Sequence, residues 1–330
     1  MTLKVLVTGA SGFIGQRLVN VLKMQGHWVK SVDRHHSGSR AGADIHVVQN
    51  ISVTTRWADV LRGIDAIVHL ADGSRVFEST GVSENRRAME GCAAANSHLA
   101  ASAIEQGIRS FIYVSSVKAV VGESASFVLT DEHKPLPTSQ YGQLKLDVER
   151  QLTSIFNASP GRLVILRPAL VYGPGCGGNF DRLMRLADTP WPLPFGGMKN
   201  TRSMIFVENF VDAVVTVLEQ KSAPGGAYLV HDGAPRSICK TLEHMRSCFG
   251  RPTRLFSIPA SIWGVAASIP PMASIADRIT GMLTIDDIGF RRTFSWSPPW
   301  QDEQAVAATV ASFVEAKTLK AANLMRGDGS

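Results

Sequence analysis

The sequence predicts an α/β protein, with a doubly wound parallel sheet and a smaller, interleaved C-terminal lobe. Three observations lead to this fold class. Short, apolar, β-branched runs alternate with helical patterns in the first half of the chain. The composition shifts towards glycine and proline after residue 168. The 330 residues, 45% of them hydrophobic, suffice for one large core and a second, smaller one.

The first half of the chain alternates between predicted strands and predicted helices. The helical patterns fall at 16–24, 89–106 and 142–156, and the strand patterns at 5–7, 28–32, 66–70, 111–114 and 163–166. Strands joined through helices lie parallel in one sheet. We therefore expect ligands at the carboxyl ends of these strands, where open α/β sheets bind them.

The second lobe begins where this regular pattern stops. Residues 173–178 and 190–197 are rich in glycine and proline, whereas 206–219 return to a strand and a helix. We divide the chain into a sheet domain, a second lobe and a frayed tail. Their predicted bounds are 1–167 plus about 204–230 for the sheet domain, 168–203 and 231–320 for the second lobe, and 321–330 for the tail.

Composition and charge exclude several classes of protein. The four cysteines are scattered and do not form paired metal-ligand spacings, so we expect neither a metal site nor disulfides. The chain starts without a signal-like segment and no apolar run approaches the ~20 residues of a membrane span, so we expect a cytoplasmic protein without membrane insertion. Its net charge of +6 is dispersed, which argues against nucleic-acid binding.

The first motif is Thr8-Gly-Ala-Ser-Gly-Phe-Ile-Gly15, which follows the first strand and opens the first helix. Its three glycines allow a tight turn, a close approach of backbone to a pyrophosphate, and packing of the helix on the strand. The pattern therefore predicts a dinucleotide site of the Rossmann type. Its expected contacts are Gly9, Ser11, Gly12, Phe13, Ile14 and Gly15.

The residues at the end of the second strand indicate whether the site prefers NAD or NADP. Asp33 lies 18 residues beyond Gly15, where a carboxylate accepts hydrogen bonds from the adenosine ribose and repels a 2′-phosphate. The guanidinium of Arg34 is suited to a 2′-phosphate instead. We therefore favour NAD(H), and NADP(H) stays an alternative.

The second motif pairs Tyr141 with Lys145, four residues apart on one face of a predicted helix. A nearby ammonium stabilises a phenolate, which makes a tyrosine usable as a general acid or base. Ser116 follows the strand at 111–114 and is predicted to orient the reacting oxygen, next to Ser115 at the cofactor. Lys118 is either a solvated lysine or a substrate contact.

Five segments together resemble the extended short-chain dehydrogenases of nucleotide-sugar metabolism over most of the chain. They are TGASGFIG at 8–15, HLA at 69–71, YVSS at 113–116, YGQLK at 141–145 and LRPALVYGPG at 166–175. The resemblance implies NAD(P) in the sheet domain and a nucleotide-sugar, UDP-linked in the closest subgroup, in the second lobe. It also implies a catalytic set of Ser116, Tyr141 and Lys145.

The same resemblance implies further contacts. On the cofactor, Asn50 and Ile51 lie by the adenine, Leu70, Ala71 and Asp72 by the pyrophosphate and ribose, and Pro168, Leu170 and Val171 by the nicotinamide. On the substrate, the implied contacts are Arg75, Lys118, Asn179 and Arg202. A homodimer is also implied, through the helix around 92–104 and the helix after Tyr141.

Within this family, the motifs leave the reaction open. Dehydratases carry Asp-Glu after the catalytic Ser/Thr, whereas this chain has Val117 and Lys118, which argues against dehydration. We favour reduction of a UDP-4-keto-6-deoxy-N-acetylhexosamine at C4, as in bacterial surface-polysaccharide (O-antigen) synthesis. The alternative is a 4-epimerase that retains its NAD. A steroid or dihydroflavonol-type reductase and a non-catalytic NAD(P) sensor are less favoured.

Overall fold

The structure is a computed structural model that describes residues 2–34, 42–71, 82–259 and 281–325. Two residues expected at the site, Asp72 and Arg75, lie outside these ranges. None of the helices within the described ranges is long and apolar enough to span a membrane. No cluster of three or more potential metal-ligating side chains occurs in them either.

A seven-stranded parallel sheet forms the centre of the molecule, which confirms the predicted fold class. Its spatial order is β3-β2-β1-β4-β5-β7-β10, in which neighbouring strands pair in parallel. The strands are β1 (Lys4–Thr8), β2 (Trp28–Asp33), β3 (Ile45–Val48), β4 (Ala66–His69), β5 (Ser110–Val114), β7 (Arg162–Pro168) and β10 (Gly226–Val230). The order reverses direction at β1 and β4, which creates a crevice at the carboxyl ends of these strands.

Helices cover both faces of the sheet because alternate strand residues are apolar on both sides. On one face, α1 (Phe13–Met24) and α6 (Val207–Glu219) pack against Val5 and Val7. On the other face, three helices share a core with Leu6. These are α2 (Trp57–Leu61), α3 (Val82–Glu105) and α4 (Gln140–Asn157).

The described part of the smaller lobe contains two short sheets and four helices. One sheet joins β8 (Leu170–Tyr172), β9 (Thr201–Phe206) and β11 (Asp232–Ser237), and the other joins β6 (Val128–Leu129) and β12 (Thr284–Ile285). The helices are α5 (Gly178–Ala187), α7 (Ile238–Cys248), α8 (Ile288–Phe294) and α9 (Asp302–Met325). Phe180, Leu242 and Val306 belong to the core that α5, α7 and α9 share. The exact domain boundaries stay a prediction.

Several elements differ from the sequence expectations, and three of them have a clear physical reason. Strand β3 was not predicted, because its side chains are half-buried or exposed at the sheet edge and therefore lack a continuous apolar run. Helix α5 begins inside the glycine-rich stretch that we expected to be a loop, with Phe180, Met184 and Ala187 on its buried face. Helix α9 extends to Met325 and so includes the first five residues of the expected tail.

Candidate active site

The glycine-rich turn lies between β1 and α1, as the motif predicts. The Gly9 amide donates to the carbonyl of Val32 at 2.9 Å, and the Gly12 amide donates to the carbonyl of Gly9 at 3.0 Å. A Cβ on Gly15 would lie 2.3 Å from the Gly9 oxygen, so only glycine permits this close packing of helix on turn. The amino end of α1 is thereby directed at the crevice, where it favours negative charge.

Asp33 ends β2 beside this turn, and its two carboxylate oxygens have different surroundings. Its Oδ1 accepts from the amide and the hydroxyl of Ser11, at 2.8 and 2.7 Å. Its Oδ2 is buried and accepts no hydrogen bond from the described part of the chain, while His46 Nδ1 lies 3.8 Å away. A buried carboxylate oxygen in this position fits a ribose hydroxyl, whereas Arg34 is exposed. The turn and Asp33 therefore fit a bound NAD.

A single cavity of about 740 Å³ runs from the glycine-rich turn to the second lobe. It is lined by sixteen of the residues predicted for the cofactor or substrate. These are Gly9, Gly12, Phe13, Ile14, Gly15, Leu70, Ser115, Ser116, Lys118, Tyr141, Lys145, Pro168, Leu170, Val171, Asn179 and Arg202. Ser11, Asp33, Arg34, Asn50, Ile51 and Ala71 are not among its lining residues. The contacts of all these residues with ligands stay predictions.

Tyr141 and Lys145 lie in the first two turns of α4. Ser139 begins this helix, because its hydroxyl accepts a hydrogen bond from the Gly142 amide at 3.0 Å. Lys145 is buried, and its Nζ donates to the carbonyl of Val114 at 2.8 Å. The same Nζ lies 5.9 Å from the centre of the Tyr141 ring. The ammonium is therefore fixed near the phenol ring, within the range over which a charge affects an ionisable group.

The two serines after β5 have different surroundings. Ser115 is buried, and its hydroxyl donates to Oε1 of Glu149 at 2.5 Å. The Ser116 hydroxyl accepts from the Lys118 amide at 3.2 Å and begins the short 3₁₀ turn Val117–Ala119. Both serines line the cavity, but the Ser115 hydroxyl is already bonded to Glu149. Ser116 is therefore the serine suited to contact a substrate oxygen, and Ser115 anchors the strand end.

Glu149 is itself held by Arg167 at the end of β7. Nη2 of Arg167 lies 2.6 Å from Oε2 of Glu149, and both side chains are buried. The sequence analysis did not identify this pair, because the two residues are 18 positions apart and belong to different elements. The available signal was a carboxylate one helical turn after Lys145 and an arginine directly before Pro168.

The loop after Ser116 packs against the start of α4. A Cβ on Gly142 would lie 2.1 Å from the Lys118 carbonyl oxygen, so this loop and the helix are in close contact beside Tyr141. Nζ of Lys118 lies 2.9 Å from Oε2 of Glu123 and 2.9 Å from the carbonyl of Gly122. The reacting end of the cavity therefore carries an ion pair.

The second lobe supplies cationic groups to the same cavity. Arg202 donates to the carbonyls of Glu123 and Gly281, at 2.6 and 3.0 Å. Arg182 and Arg236 also line the cavity, and Nη2 of Arg236 forms an ion pair of 2.5 Å with Asp302. Sequence reasoning missed Glu123, Arg182 and Arg236, because no local spacing connects them to the two motifs.

Comparison with known proteins identifies the family. The model of the NAD-dependent epimerase/dehydratase family matches residues 5–230. The UDP-glucose 4-epimerase of Vibrio cholerae is 31% identical over 322 residues, which cover 96% of this chain and 97% of the relative.

Two solved structures share the fold. The UDP-N-acetylglucosamine 4-epimerase of Bacillus cereus superposes with a TM-score of 0.75 at 20% identity, over 94% of this chain and 99% of that one. The UDP-glucuronic acid 4-epimerase of the same organism, in complex with UDP-glucuronic acid and NAD, gives 0.73 at 22% identity, over 95% and 99%. The family predicted from the motifs and the preference for NAD are thus confirmed. The chain belongs to the NAD-dependent epimerase/dehydratase family, as an enzyme of the extended short-chain dehydrogenase type with NAD as its cofactor.

Proposed function

We propose that this enzyme is a UDP-sugar 4-epimerase that inverts the configuration at C4 of the hexose. The observation that carries the proposal is the likeness to the V. cholerae UDP-glucose 4-epimerase, which extends over nearly the whole length of both chains. The sequence motifs alone favoured a 4-keto reductase, and no specific finding supports that reaction. Epimerisation therefore replaces reduction as our first candidate.

The side chains around the cavity fit the proton transfers of this reaction. Tyr141 removes the proton of the C4 hydroxyl, and Ser116 holds the same oxygen by a hydrogen bond. Lys145 stabilises the phenolate through its fixed ammonium. After the sugar has turned over in the cavity, Tyr141 returns the proton to the C4 oxygen.

The glycine-rich turn, Asp33 and Lys145 would hold the cofactor across the switch point of the sheet. Bound there, NAD would supply a reversible acceptor for the hydride of C4. The protein's own task is to keep both molecules in one cavity, and its continuous lining from Gly9 to Arg202 supports this.

The cationic end of the cavity fits the diphosphate of a UDP-sugar. Arginine pairs with phosphate oxygens through two parallel hydrogen bonds. Arg202 and Arg236 are the first candidates for this contact, and Asn179 and Arg182 on α5 also line the cavity. Lys118, beside Ser116, is assigned to the sugar. The homodimer implied by the resemblance stays a prediction.

Interconversion without added cofactor tests this proposal. The purified enzyme is incubated with UDP-glucose or UDP-N-acetylglucosamine, and the products are separated by ion-exchange chromatography. We expect the C4 epimer to accumulate to equilibrium without net change in NADH absorbance. Oxidation of added NADH by a UDP-4-keto sugar, without interconversion of UDP-hexoses, would favour the reductase instead.

A further inference from the structure

The reacting end of the cavity contains a paired acid that neither motif includes. Glu123 and Lys118 both line the cavity, and their charged groups lie 2.9 Å apart. Their side chains are 26% and 21% exposed, so both remain accessible from the cavity while being partly shielded from bulk water. Charges in such surroundings act more strongly on a ligand than exposed charges do.

The backbone places this ion pair next to the reacting groups. The Lys118 amide donates to the Ser116 hydroxyl, and the Lys118 carbonyl packs against Gly142, the neighbour of Tyr141. The carbonyl of Glu123 accepts from Arg202, which fixes the far end of the same loop. A hexose with its C4 oxygen between Ser116 and Tyr141 therefore has the pair among its neighbours.

The charges of Lys118 and Glu123 determine whether a neutral or an anionic sugar is favoured beside them. Structural neighbours include epimerases named for UDP-N-acetylglucosamine and for UDP-glucuronic acid, whose sugars differ in charge. Lys118 by itself would attract a uronate. Glu123 cancels that charge, and its own carboxylate repels a second carboxylate in the same space.

We propose that Glu123 is a specificity-determining residue that makes this site select neutral UDP-hexoses and reject UDP-hexuronates. The proposal rests on the proposed function, which it refines. A neutral sugar leaves the ion pair intact. Its hydroxyl groups can accept a hydrogen bond from the Lys118 ammonium and donate one to the Glu123 carboxylate. A uronate has to separate the pair or lie beside the like-charged carboxylate of Glu123.

Glu123→Gln tests the proposal, because it removes the charge with little change of shape. We expect wild-type kcat/KM for UDP-glucose to exceed that for UDP-glucuronic acid at least about tenfold, and the variant to reduce this ratio about tenfold by gaining uronate activity. Lys118→Met should shift the ratio in the opposite direction. Glu132→Gln, an exposed acid outside the cavity lining, is the matched control and should leave the ratio unchanged.

Binding measurements separate this proposal from the proposed function. Calorimetric Kd values for UDP-glucose and UDP-glucuronic acid, with wild type and Glu123→Gln, report selectivity even if no sugar is turned over. Selective binding that Glu123→Gln abolishes, without turnover, sustains the role of Glu123 and overturns the epimerase. Equal use of both sugars by wild type, an unchanged ratio in Glu123→Gln, or binding of neither sugar overturns the proposal.

Discussion

Glu149 and Arg167 form a two-pronged ion pair beneath the reacting groups, with Nη2 and Nε of Arg167 2.6 and 3.1 Å from Oε2 and Oε1 of Glu149. Glu149 belongs to the helix of Tyr141 and Lys145, and Arg167 directly precedes Pro168 on β7. Through the Ser115 hydroxyl, the pair also fixes the end of β5. One buried ion pair therefore connects the three elements that supply the catalytic site.

The first prediction separates what this ion pair contributes to the stability of the protein from its role in positioning the reacting groups. Glu149→Gln should lower the free energy of unfolding by about 3 kcal/mol, because it leaves the Arg167 charge buried without a counter-ion. The double variant E149M/R167M should recover most of that loss, since apolar pairs often replace buried ion pairs without cost. Its kcat should nevertheless fall at least about tenfold, because the hydrogen bond that holds Ser115 is lost. Urea unfolding and initial rates measure both effects, and wild-type kcat in the double variant contradicts the positioning role.

The second prediction concerns the proton transfer by Tyr141. Tyr141→Phe should reduce kcat by about 10²–10⁴-fold, because the general acid and base is removed. The amount of NAD bound to the purified protein should stay near that of wild type. Tyr228→Phe is the control: its hydroxyl contacts the Pro224 carbonyl at 3.3 Å on the outer strand β10, so its kcat should match wild type. Equal losses in both variants would assign Tyr141 a structural role only.

The third prediction concerns Asp33 and the cofactor. Asp33→Asn should weaken NAD binding roughly 10- to 100-fold, the range expected when a charged hydrogen bond to the ribose is lost. Discrimination against NADP should decrease as well, because the carboxylate no longer repels the 2′-phosphate. Fluorescence titration of cofactor-depleted protein measures both affinities. Asp59→Asn, at an exposed position of α2, should behave as wild type. Undiminished NAD affinity in Asp33→Asn would rule out the ribose contact.

The fourth prediction compares two helical glycines. Gly142→Ala places a methyl group 2.1 Å from the Lys118 carbonyl, so the loop beside Tyr141 has to move and both stability and kcat should decrease. In Gly91→Ala in α3, the added methyl meets no atom of another described segment within 4 Å, so the variant should raise the free energy of unfolding by about 0.5–1 kcal/mol. Thermal melts and initial rates distinguish the two. Unchanged stability and kcat in Gly142→Ala would show that the loop can move without affecting the site, which would contradict this prediction.

The fifth prediction concerns acid stability at Asp287. Burial raises the pKa of this carboxyl, but hydrogen bonds from His231 and Arg291 outweigh that effect and hold the pKa below its ordinary value. A lowered folded-state pKa contributes stability above the unfolded pKa of about 4, and this stability is lost as the pH falls through the folded value. Asp287→Asn should therefore be less stable than wild type at pH 7, and the difference should shrink towards pH 3. A difference that is independent of pH would exclude this linkage.

The sequence predicted the elements whose signal is local. The β-branched runs of β1, β4 and β5 indicated a buried parallel sheet, and the spacing of Tyr141 and Lys145 indicated one helix face. Strand β3 was not predicted, because a strand at an exposed sheet edge does not need a continuous run of apolar residues. Helix α5 was not predicted either, because glycines at its amino end suggested a loop.

The parts of the site that could not be predicted depend on contacts between distant segments. Arg236 pairs with Asp302, 66 residues later, and Arg202 contacts the Glu123 carbonyl, 79 residues earlier. Such pairs form only when the second lobe folds over the carboxyl end of the sheet, and no spacing in the chain encodes them. The choice between epimerase and reductase is also absent from the motifs, because both reactions use Ser116, Tyr141 and Lys145.

If this enzyme inverts C4 of a UDP-hexose with NAD that stays bound, the hydrogen at C4 is retained in the product, and following that hydrogen is the most direct measurement. The enzyme is incubated with UDP-[4-²H]glucose without added cofactor, and the products are analysed by NMR. The account predicts UDP-galactose that retains deuterium at C4, because the same hydride leaves and returns. UDP-glucose recovered unchanged, together with oxidation of NADH by a UDP-4-keto sugar, would contradict it.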